Sequence, residues 1–254
     1  FNQGITDADR ARAIPVDGEA GTVSLTHFDV GHAAGLNTVN QPRHMVKFIY
    51  VRATEPVTPS WNCLNRQWQK PQDVQALHDL NLTWAHVWDW MCGKKDRYHS
   101  FRKKNSLSAS EVSQLIEDLH EVREVDARLQ IIHQIAASGA KAAGSIPYLI
   151  KILNTDHQAL RLAAIYALGI IGQPAVEPLI ASLRESGICK EDDSVPKPWN
   201  EGAILMDDTA FALTAVGSSA VEALISALGD TSEWTRINAA FALGELDSLA
   251  INAV

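Results

Sequence analysis

RLAAIYALGIIGQPAVEPLIASL, residues 161–183, is the segment that decides the fold, because its apolar pattern returns along the chain. The pattern recurs 45 residues later, begins again thirty residues after that, and has a partial copy thirty residues upstream. The repeating unit is therefore about thirty residues long, and one unit carries an insertion of about fifteen. The matching positions are Ala167, Leu168, Gly172, Val176, Leu179, Ile180 and Leu183; Ala212, Leu213, Gly217, Val221, Leu224, Ile225 and Leu228; Ala242, Leu243, Ile251 and Val254, with Asp247 in place of the glycine; and, upstream, Ile146, Leu149, Ile150 and Leu153.

Each unit is predicted to form two short amphipathic helices joined at a small residue. Neither helix can bury its apolar stripe alone, so the units must stack on one another. Residues 123–254 resemble HEAT-like repeats of the short kind that also occurs in bilin lyases. The resemblance implies an α-α solenoid, a fold that serves as an interaction surface for many protein partners.

The N-terminal segment carries a different pattern, which is typical of β-strands. GTVSLTHFDV (21–30) and HMVKFIYVR (44–52) alternate in polarity and are rich in β-branched residues, so we expect two strands around a loop. In the first strand His27 and Asp29 would face away from His32. These two residues look like half of an iron site, but side chains on opposite faces cannot converge on one ion.

The spacing H-x4-N-x5-R, formed by His32, Asn37 and Arg43, resembles the C-terminal end of the jelly-roll barrel in phytanoyl-CoA dioxygenase-type enzymes. The resemblance implies that His32 is an Fe(II) ligand, that Arg43 holds the outer carboxylate of 2-oxoglutarate, and that Asn37 shapes the loop between them. Lys47 would share the strand face of Arg43 and add positive charge. A neutral imidazole suits Fe(II), and a guanidinium fork suits a carboxylate, so the implied roles are chemically consistent.

The N-terminal segment departs from that family in two ways. Ala33 and Ala34 follow the histidine where family members often have Gly-Ser, which leaves no hydroxyl for a further contact to the co-substrate. The upstream H-x-D ligands and the first barrel strands are not in this chain, so we expect the chain alone to be inactive and the intact protein to be the enzyme. Phe1 is not an initiator methionine, and the last residues stop inside a helical pattern, so we expect both ends to be those of a fragment.

Residues 61–122 are rich in tryptophan, since five of the chain's seven fall within thirty residues. Four large apolar residues of this segment share one helical face: Trp84, Val87, Trp88 and Met91. We therefore expect a helix whose aromatic stripe packs against a neighbouring domain. The alternative is an aromatic platform for nucleic acid.

The segment KKDRYHSFRKK (94–104) interleaves basic and aromatic residues. We expect a solvated linker, and a single-stranded nucleic-acid site is the alternative. A helix follows, with Ser108 or Ser110 as its N-cap and Glu111 in its first turn. Further along, the inserted segment GICKEDDSVPKPWNEG (187–202) is either a recognition element with an exposed tryptophan or a loop that the turn tolerates.

Composition narrows the class of protein. Hydrophobic residues make up 46% of the chain and charged residues 20%, as in globular proteins, and the net charge of -8 disfavours a nucleic-acid partner. No apolar run reaches the roughly 18 residues of a membrane span, and no signal sequence is evident. We therefore expect a cytoplasmic protein that binds neither nucleic acid nor membrane. The odd, widely spaced cysteines are expected to be free thiols: Cys63, Cys92 and Cys189.

The sequence thus predicts a multi-domain, mainly α protein. Residues 1–60 are expected to form the incomplete end of a jelly-roll β-barrel, 61–122 a Trp-rich helical connector, and 123–254 the HEAT-like solenoid. The first functional hypothesis is an Fe(II)/2-oxoglutarate-dependent dioxygenase that hydroxylates an unknown small-molecule substrate and carries a protein-interaction domain. The alternative is a non-catalytic scaffold with a degenerate barrel, whose solenoid binds a protein partner. A bilin-handling lyase is a third interpretation, which rests on the repeats alone.

Overall fold

The computed structural model divides the chain into two compact units, Phe1–Val51 and Arg52–Val254. The residues that the structure describes are 7–19, 21–26, 37–42, 44, 46, 48, 50, 53–72, 76–95, 98, 107–155, 157–191, 206–246 and 250. Within helices, the side chains of residues 8, 9 and 189–191 lie outside this description.

The first unit contains one short helix among its described residues, α1 (Asp7–Arg12), and no strand among them. The described parts of both predicted strands have no regular secondary structure, so the expected barrel end finds no support. Every described side chain of this unit is exposed, including the large apolar Val23, Leu25 and Phe48. The physical reason is that alternating polarity forms a strand only where a sheet supplies hydrogen-bond partners and a core covers one face.

The second unit is helical throughout its described regular structure. Its helices are α2 (Asn81–Met91), α3 (Ala109–Glu121), α4 (Val125–Ala137), α5 (Ile146–Leu153), α6 (Gln158–Ile171), α7 (Val176–Glu191), α8 (Asp208–Val216), α9 (Val221–Ala227) and α10 (Glu233–Leu246). Short 3-10 turns separate the two helices of three repeats: Gly139–Ser145, Gln173–Ala175 and Gly217–Ala220.

The repeats stack into two rows of helices. Helices α4, α6, α8 and α10 pack side by side and form the first-helix row, while α5, α7 and α9 form the second-helix row. The core between the rows uses the positions that repeat in the sequence. Six leucines at these positions are completely buried: Leu149, Leu168, Leu179, Leu183, Leu213 and Leu224. The predicted α-α stack is therefore confirmed for this unit.

Glycine makes the turn that follows three helices of the first-helix row. Gly139, Gly172 and Gly217 have φ angles of 57°, 79° and 84°, in the left-handed region. A side chain is strained in that conformation, whereas glycine adopts it freely. The recurring glycine in the sequence therefore marks where three helices of the first-helix row end.

Helix α3 begins at a complete capping box. The Ser108 hydroxyl accepts a hydrogen bond from the Glu111 amide at 3.3 Å, and the Glu111 carboxylate accepts one from the Ser108 amide at 2.7 Å. Both groups satisfy amides that the first turn of a helix leaves without a partner. The N-cap is therefore Ser108 and not Ser110.

Helix α7 is longer than the sequence predicted. It continues to Glu191, so the first residues of the segment predicted as a loop, 187–202, are helical. Gly187 opens the inserted segment, and in α7 it lets the helix pass close to Ser232 and Thr235, whose hydroxyls a Cβ would meet. The rest of the predicted loop lies outside the described residues.

One described helical stretch, Asp208–Ala227, is long and apolar enough by composition to cross a membrane. The stretch consists of α8, a 3-10 turn and α9, and its side chains Ala210, Leu213 and Leu224 are buried in the repeat stack. The core helix of a soluble protein passes the same test of composition, so one such stretch is weak evidence for a membrane span.

Candidate functional site

The structure describes only one of the four N-terminal residues that were predicted to bind iron and 2-oxoglutarate. Three of them lie outside the described residues: His32, Arg43 and Lys47. Asn37 is exposed, its side-chain amide donates to the Gln41 carbonyl at 2.9 Å, and its oxygen accepts from the Val39 amide at 3.2 Å. Within the described parts of the chain, no three His, Cys, Asp or Glu side chains are grouped so as to hold a metal ion. The iron ligand His32 and the 2-oxoglutarate contacts therefore stay predictions from the sequence.

A segment preceding the repeats lies against the first-helix row. This segment, the arm, comprises the described residues from 53 to 98 and contains α2, which packs on α6. The buried face of α2 consists of Leu82, Ala85 and Asp89. A buried carboxylate needs a compensating charge, and the Lys94 ammonium supplies it at 2.5 Å from Asp89. The ion pair lies within the arm, so it lets the Asp89 side chain be buried in the face of α2 that packs on α6.

The tryptophans of the arm pack on one another. The ring centroids are 5.5 Å apart for Trp61 and Trp88, 5.8 Å for Trp68 and Trp88, and 6.5 Å for Trp68 and Trp84. Val87, which the sequence placed on the same stripe, is exposed. The stripe expected to meet a neighbouring domain therefore packs on the arm's own loop, because the opposite face of α2 is the one that meets α6.

Two cysteines of the arm, Cys63 and Cys92, are free thiols, as the sequence predicted. The Cys63 thiol contacts the Asn65 carbonyl at 3.2 Å. Burial, together with the neighbouring Cys63 thiol, raises the pKa of Cys92, which keeps it protonated and unreactive at neutral pH. The side chain of Cys189 lies outside the described residues.

Two further rings of the arm contact the first-helix row. His86 of α2 packs on Tyr166 of α6, with ring centroids 4.5 Å apart. The Tyr98 hydroxyl donates a hydrogen bond to the Ala215 carbonyl of α8 at 2.7 Å. Gly169 of α6 makes room for that hydroxyl, because a Cβ there would collide with it. Tyr98 belongs to the run predicted as a solvated linker, and its burial shows that this residue instead anchors the arm.

The arm also makes polar contacts at the N-terminal ends of α4 and α6. His78 Nδ1 lies 3.1 Å from the Asp126 carboxylate, and its ring packs edge-on against His157, with centroids 4.9 Å apart. The Lys70 ammonium lies 2.9 Å from Asp79. Burial opposes ionisation of Asp79, but the hydrogen bonds from Lys70 and from a backbone amide lower its pKa overall. These ends therefore hold a cluster of charges between the arm and the repeats.

Two histidines in this cluster have lowered pKa values, so their protonated forms are disfavoured. Burial lowers the pKa of His133 in α4, although the Asp79 carboxylate opposes this effect. Burial and the nearby His78 also lower the pKa of His157, with Arg161 adding to the effect and Asp126 opposing it. Both histidines are therefore neutral in the folded protein at a pH where the unfolded chain already binds protons.

The free energy of unfolding is expected to fall as the pH is lowered below neutrality. Because the pKa of His133 and His157 is lower in the folded state, their contribution is complete above about pH 7 and decreases as the pH falls through about 6.5. Urea unfolding between about pH 8 and pH 5.5 checks this. His133→Gln should flatten the profile, and stability that rises on acidification would contradict the prediction.

One ring recurs on the same face of each helix in the first-helix row. It stands six residues before the turn glycine in three repeats, and six before Asp247 in the fourth: His133, Tyr166, Phe211 and Phe241. The arm packs on the second ring through His86, and its Asp79 carboxylate acts electrostatically on the first, His133. Phe211 and Phe241 meet edge to face with centroids 5.3 Å apart, and Phe211 remains 39% exposed.

We define the outer face as the ring position together with the residues three and four positions after it, in α6, α8 and α10. Its members are Tyr166, Gly169 and Ile170; Phe211, Thr214 and Ala215; and Phe241, Gly244 and Glu245. The arm covers the outer face at α6 and reaches the edge of α8 at Ala215. At α10, Gly244 and Glu245 are exposed, and no described atom beyond its own helix lies within 4 Å of a Cβ placed on Gly244.

Exposed acidic side chains stand at both ends of α10, beside the open part of the outer face. Residues 206–246 contain six acidic residues and one basic residue, Arg236, whose guanidinium is bonded to the carbonyls of Asp230 and Thr231. Asp208 is paired with Arg161 at 2.7 Å, whereas Glu233 and Glu245 are exposed at the two ends of α10. The open part of the outer face is therefore apolar at its centre and negative at its rim.

Comparison with known proteins supports the repeat assignment alone. Residues 112–190 match the family described as HEAT repeats. The match runs from α3 to α7, so it begins within the segment that the sequence assigned to the connector. No curated protein and no solved structure matches the chain. These findings give a helical-repeat region and no support for a dioxygenase domain.

The sequence contained a signal for the outer face, which is the ring that recurs six residues before the turn glycine. The periodicity of the core positions did not reveal it. The ring position is partly exposed in every repeat, so it lies outside the set of buried alanines and leucines. Its fixed distance from the turn glycine could have located it. The arm, in contrast, gives no such signal, because its contacts with α6 and α8 are far apart in the sequence.

Proposed function

We propose that the helical unit is a protein-binding module, and that a partner protein docks on the outer face at α8 and α10. The observation that carries this proposal is the exposed ring of Phe211, which packs on the half-buried Phe241, whereas the counterpart Tyr166 is covered by the arm. Exposed apolar patches with polar rims are characteristic of interaction sites. The match to HEAT repeats agrees with this function, since helical repeats commonly bind proteins.

The oxygenase hypothesis stays a prediction from the sequence. Fe(II), 2-oxoglutarate and a small-molecule substrate are implied by the spacing of His32, Asn37 and Arg43, and no described geometry or family match supports them. The cytoplasmic location also stays a prediction. The scaffold interpretation is the one that the repeat match favours, and we therefore propose it for the helical unit.

Site-specific photo-crosslinking tests the proposed docking face. With a benzophenone amino acid in place of Phe211, the full chain is expected to give a discrete crosslinked adduct in an extract of its source cells. An excess of unlabelled chain should compete with this adduct, because it occupies the same partner surface, whereas Phe211→Asp/Phe241→Asp chain should not.

A matched position on the other row controls for random collisions. Glu222 is exposed on α9, in the second-helix row, and the same benzophenone residue there is expected to give no such adduct. The same adduct from both positions, or none from position 211, would count against the proposed function.

A further inference from the structure

The arm shows how a helix is held on the outer face of these repeats. Helix α2 lies on α6, with His86 over the ring of Tyr166, and Tyr98 enters the gap at Gly169 to reach the Ala215 carbonyl. The contact therefore uses three features of the outer face: a ring, a glycine that leaves room, and a group that pairs with a polar partner. The ring and the glycine, which both belong to α6, occur again on α10 as Phe241 and Gly244, whereas the acceptor carbonyl belongs to the next helix, α8.

Among the described residues of α10, Gly244 and Glu245 are exposed and Phe241 is half-buried. Phe241 corresponds to Tyr166 and contacts the exposed Phe211, so the two rings form one apolar surface. Gly244 corresponds to Gly169, and its surroundings are open among the described residues. Glu245 stands at the repeat position of Ala215. The covered part of the face therefore offers a backbone carbonyl at this position, and the open part offers a negatively charged carboxylate.

We infer that the occupant of this open face is a cationic amphipathic helix of a partner protein, which lies across α8 and α10 as α2 lies on α6. Its apolar side chains pack on Phe211 and Phe241, and its Lys or Arg side chains pair with Glu245 and Glu233. This inference rests on the proposed function and adds the chemical class of the partner. Continuity with the α2 contact argues for a helix, and the acidic rim argues for positive charge.

The two parts of the contact have different physical roles. Burial of two phenylalanine rings supplies most of the affinity, because aromatic side chains at the centre of an interface dominate its energy. Exposed carboxylates at the rim add little energy each, but they reject an acidic helix and accelerate association with a basic one. The apolar substitutions should therefore change affinity more than the charge substitutions.

A model peptide tests the inference directly. A fluorescein-labelled peptide of Leu and Lys, spaced to form an amphipathic helix of about four turns, is titrated into the full chain and followed by fluorescence anisotropy. The same peptide with Glu in place of Lys is the comparison. We expect saturable binding of the Lys peptide, and affinity lower by about tenfold or more for the Glu peptide, which corresponds to about 1.4 kcal/mol.

Variants of the protein separate this site from general attraction between charges. Phe211→Ser should weaken binding of the Lys peptide about tenfold, and it is expected to fold because Phe211 is exposed. Glu245→Lys should weaken binding about threefold. Glu222→Lys makes the same change of net charge on the second-helix row and should leave the affinity within about twofold.

Any one of these results would overturn the inference: equal binding of the Glu peptide, unchanged binding by Phe211→Ser, or equal effects of Glu245→Lys and Glu222→Lys. A dimer in sedimentation velocity that Phe211→Ser abolishes would identify a second copy of the chain as the occupant, and would also overturn it. If the crosslinked adduct at position 211 forms while the Lys peptide fails to bind, the proposed function stands and the class of partner is wrong.

Discussion

Replacing Gly169 with alanine is expected to destabilise the protein by about 2 kcal/mol, although alanine is the better helix former by about 1 kcal/mol. A Cβ at this position of α6 would lie against the Tyr98 hydroxyl and 2.8 Å from the Ala215 carbonyl oxygen. The second neighbour is backbone of α8 and cannot rotate away, so the arm and two helices must shift. Urea unfolding followed by circular dichroism measures the loss.

The same repeat position on α10 provides the matched control. Gly244→Ala is expected to raise the free energy of unfolding by about 0.5–1 kcal/mol, since only helix propensity changes where no described neighbour is close. Adding Tyr98→Phe to Gly169→Ala removes one of the colliding groups and should restore part of the loss. Equal effects of alanine at Gly169 and Gly244 would show that the packing of the arm does not constrain α6.

Replacing Asp207 with alanine is expected to cost about 3 kcal/mol, more than the loss of a helix cap alone. Its carboxylate caps α8 by accepting from the Thr209 amide at 2.9 Å. It also accepts from the Ser186 hydroxyl of α7 and from the Trp234 indole of α10, the latter at 3.4 Å. Alanine leaves these donors without their acceptor at a junction of three helices, and thermal or urea unfolding measures the result.

A second N-cap in the same row shows what capping alone contributes. Glu124 accepts hydrogen bonds from the amides of Asp126 and Ala127 at the start of α4 and is exposed. Glu124→Ala is therefore expected to cost about 1 kcal/mol. Asp207→Asn keeps a capping oxygen and should lie between the two alanine variants. A loss at Asp207 no larger than that at Glu124 would mean that the contacts with Ser186 and Trp234 contribute no stability.

The N-terminal segment shows where local pattern was insufficient. Val23 and Leu25, like Val46 and Phe48, alternate with polar residues as strands do, yet the structure describes them as exposed and without regular structure. A strand needs hydrogen bonds from another strand, which a local pattern cannot supply. The spacing of the predicted iron residue and its co-substrate clamp likewise remains a sequence pattern without described geometry.

The sequence by itself determined the repeat unit, because each short helix carries its own apolar stripe and each turn needs a glycine with positive φ, as at Gly172 and Gly217. These are local requirements, and periodicity records them. Only the tertiary structure decided which face of α2 meets the repeats, why Gly169 must be small, and which rings remain exposed. Those outcomes depend on contacts between residues far apart in the chain, such as Tyr98 with Ala215, and no local pattern contains them. The candidate site is therefore set by which rings of the first-helix row the described part of the arm covers.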